Sequence, residues 1–300
     1  MKNLISLFFI LSFHIAVFAQ TEGYVASANS KIYYRTFGTG KPLLIINGGP
    51  GMNSDGFAGL AKTLSKKNKT IIFDQRGTGK SILEKLDTST ITMKLMVEDL
   101  ENIRAALKIK NWIVLGHSFG GMLASYYATI YPESIEKLIL SSSGGIDLEL
   151  LTYTNTINSR LNQREIDSLN YWNKKINDGD TSYYAKFHRG LALAPAYLYN
   201  KKNIPSIAER LTQGNPLINA LVWQDLRKIN FDCTSKLSHF SRPVLIIQGK
   251  EDIIKGETAL KAHKVLKNST LILLDHCVHY GWLDQPDLYF AEIEKFLSSN

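Results

Sequence analysis

Six short apolar runs constrain this chain more than any other feature: Leu43 to Asn47, Thr70 to Asp74, Trp112 to Gly116, Lys137 to Ser141, Val244 to Gln248 and Thr270 to Leu274. Each ends at a loop carrying Gly, Asp or Ser. Near-continuous apolarity over so few residues suits a strand buried on both faces, and such strands belong to parallel sheets covered by helices on either side. Helical patterns lie between them. Met96, Leu100, Ile103 and Leu107 recur at helical spacing without an internal Gly or Pro, Gly121 to Tyr131 and Glu257 to Leu266 read as helices, and Pro286 to Leu297 closes the chain with a proline in its first turn. Two earlier runs, Tyr24 to Ala28 and Lys31 to Phe37, read as a leading antiparallel hairpin. The expected fold class is therefore α/β: a mostly parallel eight-stranded sheet with right-handed crossovers and helices on both faces.

The alternation stops between Gly145 and about Lys236, a stretch rich in Asn, Tyr, Leu and Lys and helical in character. It reads as a helical cap inserted over one end of the sheet, which divides the chain into a core of 20–145 and 236–300 and a cap of 146–235. With 300 residues of which 44% are apolar, one sheet with two helical layers has enough material for a core. Lys2 followed by the uncharged run Leu4 to Ala19 reads as a cleaved signal segment of residues 1–19, which implies a secreted or periplasmic protein; an uncleaved membrane anchor is the alternative. No other stretch is apolar enough to span a membrane. In an oxidising compartment Cys233 and Cys277 are chemically able to pair. The net charge of +8 is spread along the chain in short clusters such as Lys66-Lys67-Asn68-Lys69, without a nucleic-acid motif, so it reads as solvated surface.

Chemistry enters with Gly116-His117-Ser118-Phe119-Gly120, a G-x-S-x-G pentapeptide standing directly after a buried strand and before a helix. A sharp strand-to-helix turn at Ser118 needs Gly116 and Gly120 for clearance, and the helix aims its N-terminal N–H groups at the serine. Serine is a weak nucleophile and requires a base that is itself oriented by an acid. The loop Gly249-Lys250-Glu251-Asp252 follows one strand and supplies the acid, Asp252, with Glu251 as rival expected in solvent. The last strand is followed by Asp275-His276-Cys277-Val278-His279, which offers His279 or His276 as base; the two histidines with Cys277 also form a weak metal-ligand reading. Upstream, Asn47-Gly48-Gly49-Pro50-Gly51 lets backbone approach a substrate oxygen, so the N–H groups of Gly49 and Phe119, with Gly48 next in line, are candidates for an oxyanion hole. The same glycines lack the spacing of a phosphate-binding loop. His117 reads as a packed or hydrogen-bonded structural residue.

These motifs resemble the α/β-hydrolase superfamily and, within it, the proline iminopeptidase-like serine peptidases. Asn47-Gly48-Gly49-Pro50-Gly51 is similar to that family's H-G-G-P-G, and Asp74-Gln75-Arg76-Gly77-Thr78-Gly79-Lys80-Ser81 to its D-Q-R-G-x-G-x-S. His279, followed five residues later by Asp284 and then Gln285-Pro286, matches its histidine segment and selects His279 over His276. The likeness covers roughly Tyr24 to Gly145 and Leu237 to Leu297. It implies a catalytic triad of Ser118, Asp252 and His279, an acyl-enzyme mechanism, no metal or organic cofactor, and a small-molecule or short-peptide substrate. Departures are visible. Asn47 stands where His is usual, and His117 and Phe119 flank the serine in place of Gly and Trp. Iminopeptidases hold the substrate ammonium with cap glutamates, whereas Glu149, Glu165 and Glu209 match none of those positions; Asp225 and Asp232 are the candidate substitutes, and the substrate-binding residues are left unassigned. Tyr183, Tyr184, Phe187 and Trp223 are candidates to line a pocket. A carboxylesterase or lactonase is the alternative activity, and a non-catalytic binding scaffold the remote one.

Overall fold

A computed structural model describes residues 20–28, 30–152 and 157–299. The expected signal segment, 1–19, lies outside the described residues. Eight strands form one sheet: β1 (Thr21–Ser27), β2 (Ser30–Phe37), β3 (Lys41–Ile46), β4 (Asn68–Phe73), β5 (Trp112–His117), β6 (Ile135–Ser141), β7 (Val244–Gly249) and β8 (Ser269–Leu274). Their order is β1-β2-β4-β3-β5-β6-β7-β8. The β1–β2 and β2–β4 pairs are antiparallel and every pair from β4 to β8 is parallel, so the hairpin leads into a parallel sheet as expected.

The helices are α1 (Ala58–Leu64), α2 (Met93–Ala106), α3 (Phe119–Ile130), α4 (Gln163–Asn177), α5 (Tyr183–Leu193), α6 (Ile204–Leu211), α7 (Pro216–Lys228), α8 (Thr234–Leu237), α9 (Gly256–Val265), α10 (Gly281–Asp284) and α11 (Pro286–Ser298). Successive strand residues feed opposite layers, which is why the runs are apolar throughout instead of alternating. Leu44, Val114, Leu138 and Ile246 pack with α2, α3 and α9, whereas their neighbours Leu43, Ile113, Ile139 and Leu245 pack with α1 and α11.

Between β6 and β7 the chain leaves the sheet and forms α4 to α7, the inserted cap. A bridge between Asp147 and Asp232 closes its base, the one piece of strand-like pairing among the described residues of a stretch expected to be helical. The starts of α4, α5 and α7 are set by side chains that satisfy otherwise orphan N–H groups. Asn162 and Glu165 form a reciprocal capping box on α4, and Asn215 caps α7 ahead of Pro216. No helix among the described residues is long and apolar enough to cross a membrane.

Candidate active site

The turn from β5 into α3 places Ser118 at φ 56° and ψ −121°, outside the regions that L-residues ordinarily occupy. Such strain persists only where its surroundings fix it. Here the Ser118 carbonyl accepts from Gly121 and Gly144 N–H at 2.9 and 3.0 Å, and its N–H donates to the Ser141 carbonyl at 3.1 Å. A Cβ on Gly116 would strike the Gly120 carbonyl, and one on Gly120 the Ile46 carbonyl, so both glycines supply the clearance expected of them. Ser118 itself is half-buried at the N-terminus of α3.

His279 lies on the loop after β8 and Asp252 on the loop after β7. Its Nδ1 meets Asp252 Oδ1 at 2.8 Å, and both side chains are buried. The same carboxylate oxygen accepts Ile254 N–H at 3.1 Å, which fixes its orientation. With Nδ1 engaged, the other ring nitrogen of His279 is the one left for proton transfer. His276 is exposed and lies against the Tyr199 ring, 5.0 Å between centroids. Among the described residues no group of His, Cys, Asp and Glu side chains is arranged to hold a metal ion. Glu251 departs from the expectation of a solvent-facing side chain. Its carboxylate accepts Cys277 N–H at 3.0 Å and thereby ties the acid loop to the histidine loop, because the Cys277 amide has lost its strand partner where β8 ends.

The loop after β3 carries the other candidates. Gly49 to Met52 form a turn closed by Met52 N–H on the Gly49 carbonyl, with proline second and Gly51 at φ 85° third, the pattern of a type II turn. A Cβ on Gly48 would come within 2.7 Å of Ser118 Cβ, which measures how closely this loop approaches the serine. Among the described residues the N–H groups of Gly49 and Phe119 have no protein acceptor outside the helix. Asn47, in the position where His is usual, donates from its side-chain amide to the Gly48 and Met52 carbonyls and so holds the turn from beneath. Gln75 holds the Asn47 carbonyl, and Asp74 accepts Ser54 N–H, Ser54 hydroxyl and Lys80 N–H.

The cap reaches each of the three loops. Arg210 of α6 donates to the Gly48 carbonyl, Asn219 of α7 to Pro50, and Asn215 N–H to Gly51. Arg160 donates to the Asp252 carbonyl at 2.7 Å, and the Tyr197 carbonyl accepts His279 N–H at 3.1 Å. Asp284 accepts N–H groups of Tyr199, Asn200 and Val278 together. These contacts had no local signature in sequence; Arg210 was recoverable only as a charge within an otherwise apolar helix stripe. The candidates for ammonium binding are engaged elsewhere. Asp225 accepts Met93 N–H at the start of α2, and Asp232 accepts Thr234 N–H. Tyr183 and Tyr184 are 59% and 61% exposed, so neither lines an enclosed pocket; Phe187 stacks on Tyr183, and Trp223 packs on the core. Cys233 and Cys277 are both free and buried in separate apolar clusters. Burial pushes the Cys233 thiol up to about 12.

His117 is fully enclosed between His279, Tyr280, Trp282 and Phe57, with neither ring nitrogen completing a hydrogen bond. It is thus packed, as one of the two expected readings had it. Burial, and then the nearby charges of His279 and Arg210, hold its pKa well below 6.5. The folded protein therefore refuses a proton that the unfolded chain accepts below pH 6.5, so stability contributed at this site is complete above that pH and falls as pH drops. Against His117→Phe, the wild type is expected to lose stability more steeply below pH 6.5, by up to about 1.4 kcal/mol per pH unit. Urea melts of both proteins from pH 8 to pH 5 check this; parallel curves would refute it.

Residues 41–286 match the family model of the alpha/beta hydrolase fold. A proline iminopeptidase of Heyndrickxia coagulans is 27% identical over 93% of this chain and 99% of its own length, and one of Saccharolobus solfataricus is 29% identical over 92% of each. Among solved structures, an alpha/beta fold family hydrolase from Bacillus anthracis str. Sterne superposes with a TM-score of 0.76 at 21% identity, covering 92% of this chain and 99% of that one. The chain belongs to the alpha/beta hydrolase fold family and is similar over nearly its whole length to proline iminopeptidases.

Proposed function

We propose that this protein is a serine hydrolase that removes N-terminal residues, proline foremost, from small peptides through an acyl-enzyme. The buried His279–Asp252 contact of 2.8 Å, with the His279 ring 4.7 Å from that of His117, the residue before the strained Ser118, carries the proposal. Ser118 Oγ attacks the scissile carbonyl carbon while its proton passes to His279, whose charge Asp252 stabilises. The carbonyl oxygen becomes an oxyanion held by Gly49 and Phe119 N–H groups. Collapse breaks the C–N bond, and the departing amine takes the proton from His279. Water then attacks the acyl-enzyme, giving one proton to His279; that proton returns to Ser118 as the carboxylic acid leaves. The near-full-length likeness to proline iminopeptidases supports the substrate class.

A second reading, an acyl-ester or lactone hydrolase, rests on the cap carboxylates. The cap has nine: Asp147, Glu149, Glu165, Asp167, Asp178, Asp180, Glu209, Asp225 and Asp232. Each already has a partner, for example Lys261 for Asp147 and Glu149, the Tyr183 hydroxyl for Glu209 and Met93 N–H for Asp225. A substrate ammonium would have to displace one of them. Purified protein is expected to hydrolyse proline p-nitroanilide with a kcat/KM at least tenfold above that for N-acetyl-proline p-nitroanilide, which lacks the ammonium. Turnover of p-nitrophenyl butyrate with none of the proline amide would reject the peptidase in favour of the esterase.

A further inference from the structure

Arg210 is 3% exposed and makes no ion pair among the described residues. Its Nη2 donates to the Gly48 carbonyl at 2.8 Å, its Nε lies 3.3 Å from the Tyr280 hydroxyl, its carbon rests 4.6 Å from the Phe57 ring centroid, and its Nη1 has no acceptor. Removing a guanidinium from water carries a large desolvation cost. One carbonyl, one hydroxyl and one ring face offset that only in part. A charge kept at such a cost marks what it touches, and what it touches is the back of the oxyanion loop.

In a trans peptide the C=O of one residue and the N–H of the next point in opposite directions. The Gly48 carbonyl and the Gly49 N–H belong to the same peptide unit, so a bond that fixes the first fixes the second. Gly49 sits at φ 69° after another glycine, where the backbone has freedom that Arg210 at 2.8 Å, with the Asn47 amide at 3.1 Å, removes from the Gly48 carbonyl side. A cation behind the carbonyl also polarises the peptide and strengthens its N–H as a donor.

We propose that Arg210 is a positioning residue for the oxyanion: through the Gly48 carbonyl it aims and polarises the Gly49 N–H at the tetrahedral intermediate, so that the cap helix α6 completes a hole built from core residues. The inference rests on the serine-hydrolase reading. Its effect belongs to the transition state, because a ground-state carbonyl carries less charge for that N–H to meet.

The test uses full-length protein and p-nitrophenyl acetate, with phenylboronic acid as tetrahedral mimic. Losing one oxyanion donor outright costs 10²- to 10³-fold, and here the donor is loosened instead of deleted. Arg210→Met is therefore expected to lower kcat about 10- to 100-fold, leave KM within about threefold, and weaken phenylboronic acid by about the same factor as kcat. Arg210→Lys, which keeps the charge without the fork, is expected to recover part of the loss. A kcat within twofold of wild type, a loss confined to KM, or an unchanged boronate affinity would overturn the proposal. Should Arg210→Met fail to fold, the same split read on Arg210→Lys decides, with a kcat fall of about 3- to 30-fold expected. Ser118→Ala runs in parallel: wild-type hydrolysis by that variant would sink the serine assignment and with it the Arg210 proposal, whereas an inactive Ser118→Ala beside an unaffected Arg210→Met would overturn the Arg210 proposal alone.

Discussion

Ser118→Ala is expected to lower kcat/KM by about 10⁴-fold or more on any substrate the protein turns over, with the melting temperature within a few degrees of wild type. The size follows from what is lost. Alanine cannot form the acyl-enzyme, so the remaining rate comes only from binding and from N–H groups that stabilise attack by water. Stability is spared because the strained turn is held by backbone bonds from Gly121, Gly144 and to Ser141, none of which uses the hydroxyl. Steady-state rates, thermal melts and labelling by a fluorophosphonate probe together check the expectation. Activity within tenfold of wild type would end the acyl-enzyme proposal, and labelling of the alanine variant would place the nucleophile elsewhere.

Asp99→Ala is expected to cost about 3–5 kcal/mol of stability, the largest effect among single substitutions away from the serine. The Arg76 guanidinium grips Asp99 through two hydrogen bonds of 2.6 and 2.8 Å, with both side chains essentially without solvent exposure. Ser27 donates to the same carboxylate at 2.6 Å, so the pair also binds β1 to α2. Removing the acid strands a charge in the core, whereas replacing both partners with apolar residues removes the charge as well. Arg76→Met combined with Asp99→Leu is therefore expected to recover most of the loss, and urea titrations of the single and double variants measure the difference. A loss below about 1 kcal/mol for Asp99→Ala would mean the pair is not what holds this corner.

Much of the fold was legible because burial on both sides makes strands conspicuous. The run Trp112 to Gly116 appears in the structure as Trp112–His117, and Val244 to Gln248 as Val244–Gly249. The helix α1 was missed although Phe57, Leu60, Ala61 and Leu64 carry its buried stripe, because seven residues give too short a period to stand out. At the candidate site, Ser118, Asp252 and a histidine of the last loop were nameable because each follows its own strand and a parallel sheet brings such ends to one edge, whereas the choice of His279 over His276 came from the family resemblance. Glu251 was misread since nothing local says that a carboxylate will find an amide 26 positions away. Asp225 was singled out as a substitute ammonium-binding acid, but its partner is Met93 N–H, 132 positions distant. Hydrogen bonds of that range leave no periodicity to read. The D-Q-R-G-x-G-x-S likeness falls between these cases: recognisable as a motif, it proves to be a scaffold in which Asp74, Gln75 and Arg76 each hold a different neighbouring segment.

Asp284 reaches N–H groups of Tyr199 and Asn200 on one side and of Val278 on the other, so one carboxylate stitches the insertion to the histidine loop. For protein engineering this sets the unit of exchange. An insertion transplanted from a relative between β6 and β7 would arrive without its counterparts at Pro50, Asp252 and Asp284, and a graft would have to carry those contacts as a matched set to yield a working chimera.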